Sequence, residues 1–357
     1  MRVHNFGAGP CTLPVEVLEE IRDEFLDFGG SGMSLVEMSH RSPEYDAVHT
    51  RALELVRRVG DVPESHDVLF VQGGATLQFG MVPLNLLADG RRAGYVLSGS
   101  WAKKAYDDGA AVGEVYEAWS GAESGFTRMP DPGDLDLRPD TRYLHVTSNE
   151  TIDGVRMVSW PDEAPLVADM SSDFFTRRVD WDRFDLVYGG VQKNLAPAGM
   201  AVVIGRRDVL EGAVRALPRY LDYGFHAGSR SLGNTPPMFP IHVMGKVLER
   251  IEDHGGLDAL EARTAAKAAA VFSTIDASDG YYRNPVEPSV RSHVNVVFRL
   301  PDPEAEARFL EQAAARGLVG LKGHRSVGGI RASLYAALEQ ESVDVLVEFM
   351  EEFRASA

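Results

Sequence analysis

The chain has 357 residues, of which 44% are hydrophobic and 25% are charged, a balance typical of globular proteins rather than of disordered or fibrous ones. This length suffices for one large core or for two domains. The formal net charge of -17 argues against nucleic acid as a partner, because such binding depends on clusters of Lys and Arg. An anionic ligand must therefore be bound by a local cluster of positive charge.

A single cysteine, Cys11, is present, which excludes an intramolecular disulfide framework. The first residues, MRVHNFGAGP, lack the apolar core of a signal peptide, and no run approaches the ~20 apolar residues of a membrane span. We therefore expect a cytoplasmic protein that does not bind membranes. The chain has 36 basic residues, of which only 6 are lysines.

Short, continuous apolar segments predict buried strands in the first two thirds of the chain. These segments lie at residues 68–71, 93–98, 143–147, 165–170, 185–190 and 200–205. Runs that are apolar on both faces are typical of strands buried between helices in a mainly parallel sheet. Because stretches compatible with helices lie between several of them, we predict an α/β fold.

The character of the sequence changes after the segment SLGNTPPMFP. Helical periodicity begins at about Ile241, and a further helix, an alternating strand, another helix, a glycine-rich loop and a closing helix follow. This order predicts a large domain of residues 12–255 and a smaller C-terminal α+β domain of residues 256–357. The N-terminal segment, residues 1–11, is expected to join them.

Residues 68–79 read VLFVQGGATLQF, a strand followed by glycines and a predicted helix from about Leu77. Amides at a helix N-terminus favour an anion, and the hydroxyl of Thr76 can donate to a phosphate. Taken alone, the stretch is better explained as a glycine turn in which Thr76 caps the helix. It lacks a Walker A lysine and the full GxGxxG pattern, so no nucleotide site is predicted.

Two successive predicted strands end in ionisable residues. Asp169 lies near the end of the apolar run at 165–170, and Lys193 follows the run at 185–190. In a parallel sheet both would reach the edge at which α/β proteins bind ligands. The pair suits pyridoxal phosphate, whose aldehyde forms an imine with a lysine and whose ring nitrogen needs a carboxylate. Singly, Asp169 is as well explained as a turn residue, and Lys193 as a solvated surface lysine.

Two His-Arg pairs, His40 with Arg41 and His324 with Arg325, stand out, and Arg331 follows the second pair. Arginine binds carboxylates and phosphates in bidentate fashion, and histidine donates to phosphates. For either pair alone, a structural role is the better explanation. The spacing of His, Cys and carboxylate residues predicts no metal site.

Seven motifs together resemble one family. In chain order they are MSHRS, QGGATLQF, SNETIDG, ADMSSD, GGVQKNLAPAG, GNTPP and LKGHRSVGGIRAS. The combination resembles the phosphoserine aminotransferases, which are class-V, fold-type I enzymes that use pyridoxal 5′-phosphate. This resemblance implies a large cofactor-binding domain with a mainly parallel mixed sheet, a smaller C-terminal domain and a homodimer with shared active sites.

The resemblance also implies roles for the residues around the cofactor. Lys193 would bind it as a Schiff base, Asp169 would pair with its ring nitrogen, and Trp101 would stack on the ring. Thr151 is expected at the phenolic oxygen, and the phosphate is expected at Ala75, Thr76 and Gln192 and, from the second subunit, at Asn234 and Thr235. Some family members carry an arginine at the position of Thr76, so one phosphate-binding charge is missing here.

The implied reaction transfers an amino group between L-glutamate and 3-phosphooxypyruvate, giving 2-oxoglutarate and O-phospho-L-serine for serine biosynthesis. Arg331 is expected at the α-carboxylate of the substrate, and the distal phosphate is expected among His40, Arg41, His324 and Arg325. The family also transaminates 4-phosphohydroxy-L-threonine in pyridoxine biosynthesis, and the sequence does not separate the two activities.

Three other functions compete with this interpretation. An alanine:glyoxylate aminotransferase of class V would share the cofactor but would not need two His-Arg pairs. A cysteine desulfurase would need a catalytic cysteine, and Cys11 shows no sign of that role in the sequence. A cofactor-binding protein without turnover would not require Lys193, Asp169 and Arg331 together.

Overall fold

A computed structural model describes residues 2–162 and 164–356 of the chain. Its strands are β1 (His4–Asn5), β2 (His66–Gln72), β3 (Arg92–Leu97), β4 (Val115–Ser120), β5 (Thr141–Thr147), β6 (Leu166–Asp169), β7 (Phe184–Gly190), β8 (Met200–Arg206), β9 (Asn295–Phe298), β10 (Leu318–Val319) and β11 (Ile330–Ser333). All six strands predicted from apolar runs in the first two thirds of the chain are present. The structure adds β1, β4 and β10, which the sequence did not predict, and β11, which forms at the end of the segment expected to be a glycine-rich loop.

Helices lie between many of these strands and follow the last one. They are α1 (Val15–Glu24), α2 (Pro43–Val59), α3 (Gly74–Leu86), α4 (Ser100–Ala110), α5 (Arg207–Leu210), α6 (Tyr223–Gly228), α7 (Met238–Asp253), α8 (Gly256–Asp276), α9 (Pro303–Ala315) and α10 (Gln340–Ala355). Within the described ranges, none of these helices is both long and apolar enough to cross a membrane.

Seven strands form the main sheet, in the order β2-β8-β7-β6-β5-β3-β4. The strands β7, β6, β5, β3 and β4 pair in parallel, in that order across the sheet. Strand β8 runs antiparallel to both of its neighbours, β2 and β7. The predicted α/β fold with a mainly parallel mixed sheet is therefore confirmed. Strands β6 and β7 are buried over nearly their whole length, because helices cover both faces of the sheet.

Adjacent residues of one strand supply the two faces of this core. Val187 in β7 packs in a cluster with Leu55 of α2 and Met244 of α7. Its neighbour Leu186 points to the opposite face and packs in a cluster with Phe79 of α3, as the alternation of side chains along a strand requires. Helix α3 therefore packs on the face of the sheet to which Leu186 points.

Two small sheets involve the C-terminal part of the chain. Strand β1 pairs in parallel with β10, and β9 pairs antiparallel with β11. The N-terminal residues thus join the C-terminal part, with His4 opposite Leu318. The boundaries at residues 12 and 256 stay a prediction.

Two helices begin earlier than the sequence predicted. Helix α3 begins at Gly74, not at about Leu77, because Gly73 adopts φ +93° at the N-cap, a left-handed conformation that glycine tolerates. Helix α7 begins at Met238 rather than at about Ile241. Pro240 lies in its first turn, where the missing N–H would have no partner in the helix.

Candidate active site

An open cavity of about 510 Å³ lies where β6 and β7 end. Most of the residues predicted from the sequence line it: Ala75, Thr76, Trp101, Thr151, Asp169, Gln192, Lys193, His324 and Arg331. Its position follows from the sheet, because the C-terminal ends of parallel strands meet at one edge. Strand register places Thr147 beside Asp169 and Asp169 beside Tyr188.

Lys193 lies in a short 3₁₀ turn directly after β7, and only 8% of its surface is exposed. Its Nζ donates a hydrogen bond to Thr151 Oγ1 at 2.6 Å. Burial lowers the pKa of Lys193 to about 8, although the carboxylates of Asp169 and Glu150 oppose this shift. A buried amine that loses its proton near neutral pH is a nucleophile and a proton carrier.

Asp169 is buried at the end of β6. Its Oδ1 accepts hydrogen bonds from Ser171 N at 2.8 Å and from Ser171 Oγ at 2.6 Å. The other carboxylate oxygen accepts none from the described residues. Burial raises the pKa of Asp169, and the nearby Lys193 and the two hydrogen bonds from Ser171 oppose this rise.

Trp101 faces Lys193 from the first turn of α4. The Lys193 Nζ lies 5.5 Å from the centre of the Trp101 ring, while the indole Nε1 is buried and has no hydrogen-bond partner among the described residues. The first turn of α3, which contains Ala75 and Thr76, lines the same cavity. Amides at such a helix N-terminus have no partners within the helix and favour an anion.

The three basic residues predicted in and just after the glycine-rich loop are placed differently. Arg331 lines the cavity, and its Nη1 donates to the Thr151 carbonyl at 3.4 Å, while its buried Nε has no partner in the described chain. His324 also lines the cavity. Arg325 is exposed and is not among the lining residues.

The remaining predicted residues form a second group, which does not line this cavity. His40 Nδ1 lies 3.3 Å from Thr235 Oγ1, and Gln72 Nε2 donates to the Thr235 carbonyl at 3.0 Å. Arg41 and Asn234 are the sequence neighbours of these two residues. The buried His40 Nε2 has no partner among the residues described.

Sequence reasoning missed Glu150 and Ser171. Glu150 is completely buried, and burial together with the Asp153 carboxylate raises the pKa of Glu150 to about 8. Both residues belong to motifs already quoted, SNETIDG and ADMSSD. Membership in these motifs is the only signal that the sequence carries for the two residues, and it does not show what either side chain contacts.

Comparisons with known proteins decide the family. The aminotransferase class-V family matches residues 3–346. The chain is 46% identical to the phosphoserine aminotransferase of Lysinibacillus sphaericus and 47% identical to that of Geobacillus kaustophilus, in each case over 99% of this chain and 98% of the relative. The chain belongs to the phosphoserine aminotransferase family.

Solved structures of phosphoserine aminotransferases agree with this membership. The enzyme from Bacillus circulans subsp. alkalophilus superimposes with a TM-score of 0.98 at 44% identity, covering 99% of both chains. The pyridoxal phosphate-bound enzyme from Trichomonas vaginalis gives a TM-score of 0.93 at 36% identity, covering 98% of this chain and 100% of the other. The prediction of a pyridoxal phosphate-dependent aminotransferase is confirmed.

The cavity of this phosphoserine aminotransferase family member fits that cofactor. Its polar atoms without partners are complementary to the cofactor, since Asp169 offers a free carboxylate oxygen for a protonated ring nitrogen. The orphaned Nε1 of Trp101 and the first amides of α3 are donors for its oxygen atoms. Lys193 supplies a buried amine across the cavity from the indole ring.

The shifted pKa of Lys193 predicts how cofactor loading depends on pH. Imine formation requires the neutral amine, and a folded-state pKa of about 8 makes half of the amines neutral at about pH 8, whereas an ordinary lysine needs pH ~10.4. The rate at which the apoprotein binds pyridoxal phosphate should therefore rise through pH 8 and level off above pH ~9. Stopped-flow recording of the visible absorption band between pH 7 and 10 measures this rate. A midpoint near 10 would contradict the assignment.

Proposed function

We propose that the chain transfers an amino group between L-glutamate and 3-phosphooxypyruvate, with 2-oxoglutarate and O-phospho-L-serine as the other pair of substrates. The observation that carries this proposal is a buried Lys193 beside Asp169 and Arg331 in one cavity. The identity of 46% to a phosphoserine aminotransferase over 99% of the chain supports this substrate pair.

The cofactor would be held at its aldehyde carbon, its ring, its phenolic oxygen and its phosphate. Lys193 would bind it covalently, Asp169 would accept a hydrogen bond from the ring nitrogen, and Trp101 would stack on the ring. Thr151 would approach the phenolic oxygen, and the phosphate would be bound by Ala75, Thr76 and Gln192. When bound, pyridoxal phosphate supplies a carbonyl carbon for amine exchange and a ring that accepts electron density. The Asp169 carboxylate favours this because it keeps the ring nitrogen protonated.

Lys193 would also move the proton. Once the substrate amine has replaced it, the freed ε-amine would take the proton from the substrate α-carbon and deliver it to the cofactor carbon that bears the transferred nitrogen, and the second half-reaction would run the same transfer in reverse. A pKa of about 8 suits a group that must act both as base and as acid. The Thr151 hydroxyl, 2.6 Å from Nζ, would keep the released amine near the reacting carbon.

Both amino-acid substrates are anionic at their two ends. Arg331 would bind the α-carboxylate, and His40, Arg41, His324 and Arg325 would surround either the phosphate of phosphoserine or the γ-carboxylate of glutamate. Either oxyanion accepts charge-assisted hydrogen bonds from these side chains. Because the chain as a whole has a net charge of -17, the attraction for these anionic substrates would come from this local cluster of Arg and His side chains.

Some of these residues would come from a second subunit. His40 and Thr235 are close to each other but do not line the cavity of their own chain, and apolar side chains upstream, including Leu26 and Val36, are 82% and 52% exposed. Exposed apolar side chains of this kind are typical of interfaces. We therefore propose a homodimer in which His40, Arg41, Asn234 and Thr235 complete the site of the partner.

The same site would accept 4-phosphohydroxy-L-threonine, which has the same two anionic ends, and the chain would then also serve pyridoxine biosynthesis. We place both reactions in the cytoplasm, in keeping with the single cysteine of the chain.

Rival reactions receive less support. Burial raises the pKa of Cys11 to about 12, so its thiol is protonated at neutral pH and is a poor nucleophile for desulfuration. Ureidoglycine-glyoxylate aminotransferase from Bacillus subtilis shares the fold, with a TM-score of 0.79, at only 14% identity. That likeness concerns the fold alone and gives glyoxylate no advantage as a substrate.

Replacing the central lysine tests the reaction. Lys193→Ala should abolish the visible band of the covalently bound cofactor and lower kcat by about 1,000-fold or more, because the amine that carries the proton is lost. Absorption spectra and turnover of phosphoserine with 2-oxoglutarate measure both effects. Lys103→Ala, on the exposed face of α4, is the matched control and should change neither. A Lys193→Ala variant with both the band and full turnover would refute the proposal.

Replacing Arg41 tests the distal site. Arg41→Ala should lower kcat/KM for phosphoserine by about 10- to 100-fold, the value of one or two charge-assisted hydrogen bonds. The half-reaction with alanine, which has no distal anion, should change little under single-turnover conditions. Arg51→Ala, another exposed arginine that pairs with Glu249, is the control. An equal loss on both amino acids would rule out a phosphate-binding role for Arg41.

Mixed dimers test whether the site is shared. Co-expressed Lys193→Ala and Arg41→Ala chains, purified on two different tags, should form heterodimers with one intact site, which has the lysine of one chain and the arginine of the other. The purified heterodimers should have about half of wild-type activity, because one of their two sites is intact. If Arg41 acted within its own chain, mixing would restore nothing. A monomer in sedimentation experiments would also overturn the shared site.

A further inference from the structure

Helix α4 carries Trp101 but has no side-chain cap of its own. The N-cap residue is Gly99, which has no side chain, and no local cap hydrogen bond forms. Amides in the first turn of a helix need acceptors, so the acceptors here must come from elsewhere in the chain.

Two carboxylates from a distant turn supply these acceptors. Glu150 Oε2 accepts from Trp101 N at 3.1 Å and Glu150 Oε1 accepts from Ala102 N at 2.9 Å, while Asp153 Oδ2 accepts from Ser100 N at 3.1 Å. Ser98 Oγ also donates to Glu150 Oε1 at 3.4 Å. Three successive amides therefore donate hydrogen bonds to the two carboxyl groups. These groups lie at the positive end of the helix dipole, where acceptors are favourable.

Gly99 makes this approach possible. A Cβ atom at this position would lie 2.5 Å from Asp153 Oδ2 and 2.6 Å from Glu150 Cδ. Any larger residue would therefore displace the carboxylates from the helix. Glycine at the N-cap therefore supplies no side-chain cap, but it leaves room for Glu150 and Asp153 to reach the amides.

The same turn also contacts the central lysine. Thr151, between the two carboxylates, accepts the hydrogen bond from Lys193 Nζ, and its carbonyl accepts from Arg331. Backbone hydrogen bonds close the turn, from Glu150 N to Val155 O and from Gly154 N to Glu150 O, both at 2.9 Å. One rigid turn is thus bonded both to the backbone of Trp101 and to the side chain of Lys193.

We propose that Glu150, assisted by Asp153, is a positioning residue that fixes the indole of Trp101 opposite Lys193. This inference rests on the proposed function, because it assumes that the cofactor ring stacks on Trp101. Glu150 is completely buried and touches the Trp101 backbone rather than the reacting atoms. Its contribution to cofactor binding would therefore pass through the position of Trp101.

A double-mutant cycle separates positioning from general stabilisation. The variants are Glu150→Ala, Trp101→Phe and the double variant, and the measured quantities are the dissociation constant of pyridoxal phosphate from the apoprotein and the visible circular dichroism of the bound cofactor. Each single variant should weaken binding by about tenfold or more, since buried hydrogen bonds or a stacked ring are lost. In the Trp101→Phe background, Glu150→Ala should add less than about threefold.

A second readout needs no cofactor. In apoprotein labelled with 5-fluorotryptophan, the resonance that disappears in Trp101→Phe should shift or broaden in Glu150→Ala, while those of the other three tryptophans stay in place. Glu117→Ala, on an exposed position of β4, is the matched control and should change no measurement. Glu150→Gln keeps the volume and one acceptor oxygen, so it provides the same comparison if the alanine variant does not fold.

The outcomes are distinct. Fully additive losses in the cycle, or an unchanged Trp101 resonance, would overturn the positioning role even if the wild-type protein binds its cofactor normally. By contrast, a wild-type protein with no visible band would refute the proposed function itself. In that case the fluorine spectra would still report whether Glu150 fixes the indole.

Discussion

The whole site depends on the burial of one amine and one carboxylate at the ends of neighbouring parallel strands. Burying such groups is costly unless each has partners. Ser171 gives Asp169 two donors, and Thr151 gives Lys193 an acceptor. These partners hold both side chains in position. They leave one oxygen of Asp169 and the nitrogen lone pair of neutral Lys193 free to react with a ligand. The sheet supplies the rigidity that maintains this arrangement.

The sequence predicted the central strands of that sheet well. Strands such as β6 and β7 are apolar on both faces, a pattern that arises from burial between two helical layers. It did not predict β4, which lies at the sheet edge with Glu117 exposed and therefore lacks a continuous apolar run. Nor did it predict that β8 runs antiparallel, since strand direction depends on long-range pairing rather than on local composition.

The site was predictable to the extent that its residues lie at strand ends or in motifs. Asp169 and Lys193 were identified by position, and family resemblance added Trp101 and Thr151. Glu150 escaped because a remote carboxylate that caps a helix has no local signature, and the reason for Gly99 is visible only in three dimensions. The grouping of His40 with Thr235 away from the cavity likewise depends on the fold, which brings together residues nearly 200 positions apart.

Strand β8 runs antiparallel to β7, so the loop between them is held by the sheet at both ends. Residues 191–199 connect β7 to β8, and both ends of this loop are pinned, since Gly190 pairs with Ala201 and the Gly199 carbonyl accepts from Gly73 N at 3.0 Å. The contour length of the loop is therefore fixed by the sheet itself. A residue added between Gly190 and Lys193 would therefore move the lysine relative to Asp169, even where the strands on both sides of the loop keep their pairing.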